Sequence, residues 1–262
     1  MPASIYTLTR GTAPLLISMP HVGTRIPAEL AQRMTPVAHQ IDDTDWHLER
    51  LYGFAERIGA SLLVPQHSRY VIDLNRPADG SSLYPGQNTT GLCPTITFDG
   101  VPLYLEGAEP DAADIAARLA TYWQPYHQAL QAELTRLREL HGRAFLWEAH
   151  SIRSHVPRLF DGELPVYNFG TVDGQSCEPA RADRLLALAR GTIDASTVMN
   201  GRFKGGYITR AYGRPQEGIQ AIQLELAQRS YMQETLPYAY DESRASVTAR
   251  HLEALVTTFI ED

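Results

Sequence analysis

Short apolar runs alternate with longer amphipathic stretches along the chain, the arrangement expected of strands separated by crossover helices. Apolar runs at 14–19, 60–65, 144–149, 193–199 and 219–226 predict strands. Their lack of strict alternation suits a central sheet covered on both faces. Helical spacing predicts helices over 45–58, 111–140, 178–190 and 243–259. The second of these opens with Pro110, Asp111 and Asp114, and it closes with Arg138 and His141 before Gly142. Its stripe of Ile115, Leu119, Tyr126, Leu130, Leu134 and Leu137 is core packing, and Pro125 should kink or divide it. Two stretches, 76–107 and 200–217, are rich in Gly with Pro, Asn and Ser or with Arg and Tyr, and they resist regular assignment. Long irregular segments inside a domain of this size carry function more often than not. The expected class is therefore α/β, a single domain over residues 1–262 with a mixed, mostly parallel central sheet and helices on both faces.

The formal net charge of −7 changes this picture only by exclusion. No block of Lys or Arg interleaved with aromatics provides the electrostatic footprint that nucleic acids need. Apolar runs such as LLIS fall far short of a bilayer span, and the first residues, MPASIYTLTRGTAPLL, lack the features of a secretory signal. A cytoplasmic protein with no membrane partner is expected. Cys93 and Cys177 have no CxxC partners and read as idle thiols. An acidic substrate would need arginines to make a locally positive pocket on so acidic a chain. The sequence fixes no oligomeric state.

The chemistry gathers at the ends of the apolar runs. LLISMPHVG places His21 just beyond one strand, and FLWEAHS places Glu148 and His150 at the end of another. Carboxyl ends of strands are where open α/β sheets bind ligands, so the two histidines can converge on one metal. A catalytic zinc site characteristically takes three protein ligands and leaves one position open. The cluster IDDTDWHLERLY offers Asp42, Asp43, Asp45 and His47. One or two of these acids can be helix caps, which leaves a carboxylate for the site. In RYVIDLNRP, the Asn75–Arg76 pair presents an amide and a planar guanidinium fork suited to a carboxylate, while Asp73 can pair with Arg69 within the strand. Glu225 lies in the apolar run IQLEL, where burial lifts a carboxylate toward the pKa a general base needs. Within NGRFKGGYITRAYG, Arg202, Lys204 and Arg210 fit an anionic ligand, and the glycines allow close approach.

Taken in order, SMPHVGTRIP, DTDWHLERLY, RYVIDLNRP, LYPGQNTTGLCP, EAHSIRSHVPRLF, YNFGTVDGQSC, NGRFKGGYITRAYG and QLELAQRSYM resemble the N-formylglutamate amidohydrolase family over nearly the whole chain. The resemblance implies a zinc-carboxypeptidase-like (phosphorylase/hydrolase-like) fold. It also implies one divalent metal, zinc, on His21, Asp45 and His150, with Glu225 as the acidic base. In the wider peptidase superfamily an acid follows the first ligand by three residues, and here that position is Thr24. The implied reaction is hydrolysis of N-formyl-L-glutamate to formate and L-glutamate, the last step of a histidine degradation route. In it Arg69 steadies the oxyanion, Asn75 and Arg76 hold the α-carboxylate, and Arg202, Lys204 or Arg210 meets the other carboxylate of a dianionic small molecule. The alternatives are another N-acyl amino-acid amidohydrolase of the same superfamily, or a non-catalytic protein that binds acidic amino acids.

Overall fold

In the computed structural model, which describes residues 4–192 and 195–261, seven strands form one sheet. They are β1 (Tyr6–Thr9), β2 (Leu15–Ser18), β3 (Ser61–Pro65), β4 (Ala144–Ile152), β5 (Tyr167–Gly170), β6 (Thr197–Met199) and β7 (Ile219–Ala227). Their spatial order is β1-β3-β2-β4-β7-β5-β6. The sheet is mixed. The run β3-β2-β4-β7 is parallel throughout, β1 joins it antiparallel to β3, and β5 joins antiparallel to β7 while running parallel to β6.

Burial explains that order. Every residue of β2, β4 and β7 is buried, whereas Tyr6–Thr9 alternates half-buried with exposed, as an edge strand should. Along β4, Phe145, Trp147 and Ala149 enter one core, while Ala144 and Leu146 enter the other. Strand β7 divides likewise, with Ile222, Leu224 and Leu226 on one face and Ile219 and Ala221 on the other.

The helices are α1 (Ala28–Ala31), α2 (Leu48–Leu51), α3 (Ala112–Arg118), α4 (Gln124–His141), α5 (Pro179–Thr192), α6 (Tyr207–Tyr212) and α7 (Glu242–Ile260). Helices α2, α5 and α7 cover the Trp147 face with Leu48, Leu185, Leu252 and Phe259, and α4 and α6 cover the other with Tyr126, Leu130, Leu134 and Ile208. The helix expected over 111–140 runs as α3 and α4, joined by a π-helical turn at Leu119–Trp123, with Pro125 in the first turn of α4. Pro has no N–H to give to the preceding turn, and the wider turn absorbs the loss. Asp111 caps α3 by accepting from Asp114 N, and Gly142 closes α4 in the left-handed region.

Three local expectations change. The helix expected over 45–58 shrinks to α2, because His47 takes a left-handed conformation (φ 61°) and the chain after Leu51 continues as turns. Strands β1 and β5 and helix α6 arise where no element was expected. The strand expected over 193–199 is seen as β6, and residues 193 and 194 lie outside the described residues. Among the described residues, no helix is long and apolar enough to cross a membrane.

Candidate metal centre and its cleft

Strand phase builds the site. On β4 and β7, Glu148, His150, Gln223 and Glu225 share the face that Ala144, Leu146, Ile219 and Ala221 occupy lower down, and His150 lies opposite Glu225 in the parallel register. His21 follows β2, the other neighbour of β4, so three adjacent carboxyl ends deliver the chemistry to one place. Asp45 is tied there through its backbone, since its N–H donates to His21 O at 3.0 Å.

All of these side chains are buried. His21 Nε2 donates to Asp73 Oδ1 at 2.6 Å, and His150 Nε2 lies 2.7 Å from Glu148 Oε1. With each Nε2 set against a carboxylate, the Nδ1 atoms of both rings face inward toward Asp45. There Asp45 Oδ2 lies 3.0 Å from His150 Nδ1 and 3.8 Å from His21 Nδ1. Ligand atoms of His21, Asp45 and His150 all fall within 4.8 Å of one another. Two imidazoles and a carboxylate, each histidine backed by a second carboxylate, make a donor set that fits a divalent metal.

The electrostatics agree. Burial, helped by Arg69 and opposed by Asp73, pushes His21 down to about 4, so it stays neutral. Burial would also lower His150, yet Asp45 and Glu148 carry it well above its ordinary value. The positive charge drawn onto His150 is the charge that a bound cation would supply. Glu225 is pushed up to about 8, chiefly by burial, with His150 opposing and Asp45 adding to the rise. Asp73 stays well below the usual carboxylate range because His21, Arg76 and Arg69 outweigh its burial.

A cleft opens over these groups, lined by His21, Arg69, Asn75, Arg76, His150, Arg202 and Glu225 among others. Arg69 donates to Asp73 Oδ2 at 2.7 Å, lies 4.7 Å over the Phe98 ring, and keeps a buried Nε with no partner. The Asn75 amide lies 3.0 Å from His150 Nε2 through Nδ2 and accepts from Ile208 N through Oδ1. Arg76 donates to Thr90 O and Asn75 O. Arg202 donates to Leu159 O and Asn88 O, half-buried beside Tyr84 and Phe203. Lys204 and Arg210 do not line the cleft: Lys204 pairs with Asp173 at 3.1 Å, and Arg210 donates to Gly205 O.

The acids of IDDTDW separate. Asp42 accepts from Tyr238, Asp43 accepts from Phe98 N, and only Asp45 faces the histidines. His47 turns away to Tyr238 O. Cys93 and Cys177 are buried and unpaired. Two supports had no role assigned in the sequence. Glu148 sits two residues before His150, a spacing that puts both on one strand face, and its other oxygen accepts from Thr209 N. Gln223 stands two before Glu225 for the same reason, accepting from Gly206 N and reaching Glu225 Oε2 at 3.4 Å.

A family model for N-formylglutamate amidohydrolase matches residues 13–232. The chain belongs to the N-formylglutamate amidohydrolase family. It is 50% identical over 256 residues to the N-formylglutamate deformylase of Pseudomonas aeruginosa and 48% identical over 256 residues to that of Pseudomonas putida. Each alignment covers 98% of this chain and 96% of the relative. An N-formylglutamate amidohydrolase from Ralstonia eutropha JMP134 shares the fold, with a TM-score of 0.83 at 23% identity over 97% of this chain and 96% of that one. A gene product of Agrobacterium tumefaciens also shares it, with a TM-score of 0.74 at 17% identity over 98% and 95%. In this member of the N-formylglutamate amidohydrolase family, the buried His-Asp-His group is the candidate metal centre.

Proposed function

We propose that the chain hydrolyses N-formyl-L-glutamate to formate and L-glutamate, as the closing step of a histidine degradation route in the cytoplasm. The observation that carries this reading is the buried group of His21, Asp45 and His150, opening with Glu225 onto a cleft edged by Arg69, Arg76 and Arg202. A single divalent metal, zinc by the character of the donors, would be held by His21, Asp45 and His150, lowering the pKa of a water and polarising the formyl carbonyl. Ligands at neighbouring carboxyl ends, each His carrying a carboxylate partner, support the zinc-carboxypeptidase-like reading of the fold.

Glu225 acts as the base. With a pKa raised to about 8, its carboxylate takes a proton from water and returns it to the departing amine. The Arg69 guanidinium, which lines the cleft, donates to the oxyanion, where one such donor is typically worth about 3 kcal/mol. Asn75 and Arg76 hold the α-carboxylate, and Arg202 meets the side-chain carboxylate from the far wall of the cleft. Its position there favours Arg202 over Lys204 and Arg210 for that role.

The test is release of product from N-formyl-, N-acetyl-, N-succinyl- and N-formimino-L-glutamate by protein whose metal content has been measured. The expected result is formate and glutamate from the formyl compound, with the other three slower. Faster turnover of a different acyl group would move the assignment to that substrate. Tight glutamate binding with no turnover and no metal would leave a binding protein.

A further inference from the structure

The segment that carries Asp73, Asn75 and Arg76 belongs to no strand or helix, yet it places Asn75 and Arg76 in the wall of the cleft. Its carbonyls are held from outside by a single helical rod. Arg118 Nη1 donates to Val71 O at 3.1 Å, His127 Nε2 donates to Leu74 O at 2.9 Å, and Trp123 Nε1 donates to Arg76 O at 3.0 Å.

A regular α-helix would not present these three together. At about 100° per residue, Trp123 would stand about 140° around from Arg118, and His127 about 180°. The π-helical turn at Leu119–Trp123 advances less per residue and swings both back toward the face of Arg118.

His127 is the centre of this arrangement. Because Nε2 gives its proton to a carbonyl, Nδ1 must accept, and Tyr212 OH lies 2.9 Å from it. The ring stacks on Trp123 at 3.8 Å and faces Tyr212 at 5.8 Å. Tyr212 is the last residue of α6, whose backbone gives Ile208 N to Asn75 and Thr209 N to Glu148. His127 therefore ties the irregular segment to the helix that orients His150's partner, although it does not line the cleft itself.

We propose that His127, set in place by the π-helical turn and aided by Trp123 and Arg118, is a positioning residue that fixes the 71–76 backbone so that Asn75 and Arg76 meet the substrate. The kinetic part rests on the function proposed above. A merely packing role needs only the aromatic ring, whereas positioning needs the Nε2 donor, and substitution separates the two. His127→Phe keeps the ring and its stacking and loses the donor, and His127→Gln restores a donor at similar reach.

The experiment measures KM and kcat at saturating zinc, together with hydrogen exchange of the 71–76 amides. His127→Phe should raise KM about tenfold, change kcat less, and speed exchange of 71–76 by about tenfold while 128–141 keep their protection. His127→Gln should recover most of both effects. Wild-type KM and exchange in His127→Phe overturn the proposal, as does equal damage in the Phe and Gln variants. If His127→Phe does not fold, Trp123→Phe removes the donor to Arg76 while keeping an aromatic ring against His127, and no change in either readout there overturns the proposal. A wild-type protein inactive on N-formyl-L-glutamate overturns the proposed function instead, since the exchange measurement needs no turnover.

Discussion

At the amino ends of the strands, Glu133 is fully buried. It accepts from Ser61 Oγ at 2.6 Å and from Arg136, and Arg10 lies 3.3 Å away. At the carboxyl ends, Asp73 is fully buried as well, between His21 and Arg69. Both clusters tie strand to helix or loop with charge, but their partners differ. Ser61 and Arg136 spend their remaining bonds on the backbone of Gly11, and the cluster closes on itself. His21 and Arg69 both line the cleft, and Arg69 Nε has no hydrogen-bond partner. Buried charge by itself marks a well-packed network; donors left unspent beside a cleft mark a site.

Substitutions can break or sharpen this contrast. His150→Ala should abolish both turnover and stoichiometric metal, read by activity and metal analysis, because it removes one of the three proposed ligands. An active, metal-free His150→Ala protein would refute the centre. Glu225→Gln should keep the metal and lower kcat by about 10²–10⁴-fold. Asp73→Asn should weaken metal binding by about 10–100-fold in a chelator competition, since His21 loses the carboxylate that fixes its tautomer.

Glu133→Gln should leave kcat/KM unchanged and cost about 1–3 kcal/mol of stability at neutral pH, measured by denaturant unfolding. That cost should depend on pH in a definite direction. Burial alone would raise the Glu133 pKa, but hydrogen bonds from Arg136 and Ser61 bring it below the ordinary value. A depressed folded-state pKa stabilises above the unfolded value of about 4.3 and is lost as pH falls through the folded one. The stability gap between wild type and Glu133→Gln should therefore narrow in acid. A drop in kcat/KM without a drop in stability would erase the distinction between the two clusters.

Much of this was legible beforehand. The runs that became β2, β3, β4 and β7 are largely apolar because both faces of the central sheet are covered, and that pattern survives in any single sequence. Helices α4, α5 and α7 carry full stripes. The misses are short or atypical: YTLT is a four-residue edge strand, YNFG lies among turn formers, and YITRAY forms a helix inside a glycine-rich stretch. DTDWHLERLY has helical composition, but His47 in the left-handed region and Gly53 leave room for only one turn. His21, Asp45 and His150 do come together. The twin carboxylates behind the histidines were harder to foresee. Asp73 reads in sequence as a partner for Arg69 alone, and only the folded chain brings it within 2.6 Å of His21.

The place of β7 in the sheet has a consequence for biosynthesis. It is the last strand made, yet it lies between β4 and β5, so the β5–β6 pair has no sheet to join until β7 leaves the ribosome. His21, Asp45 and His150 are all translated before Glu225. A nascent chain thus carries its candidate metal-binding residues while β4 still has an open edge, and the strand that seals that edge is the same one that delivers Glu225.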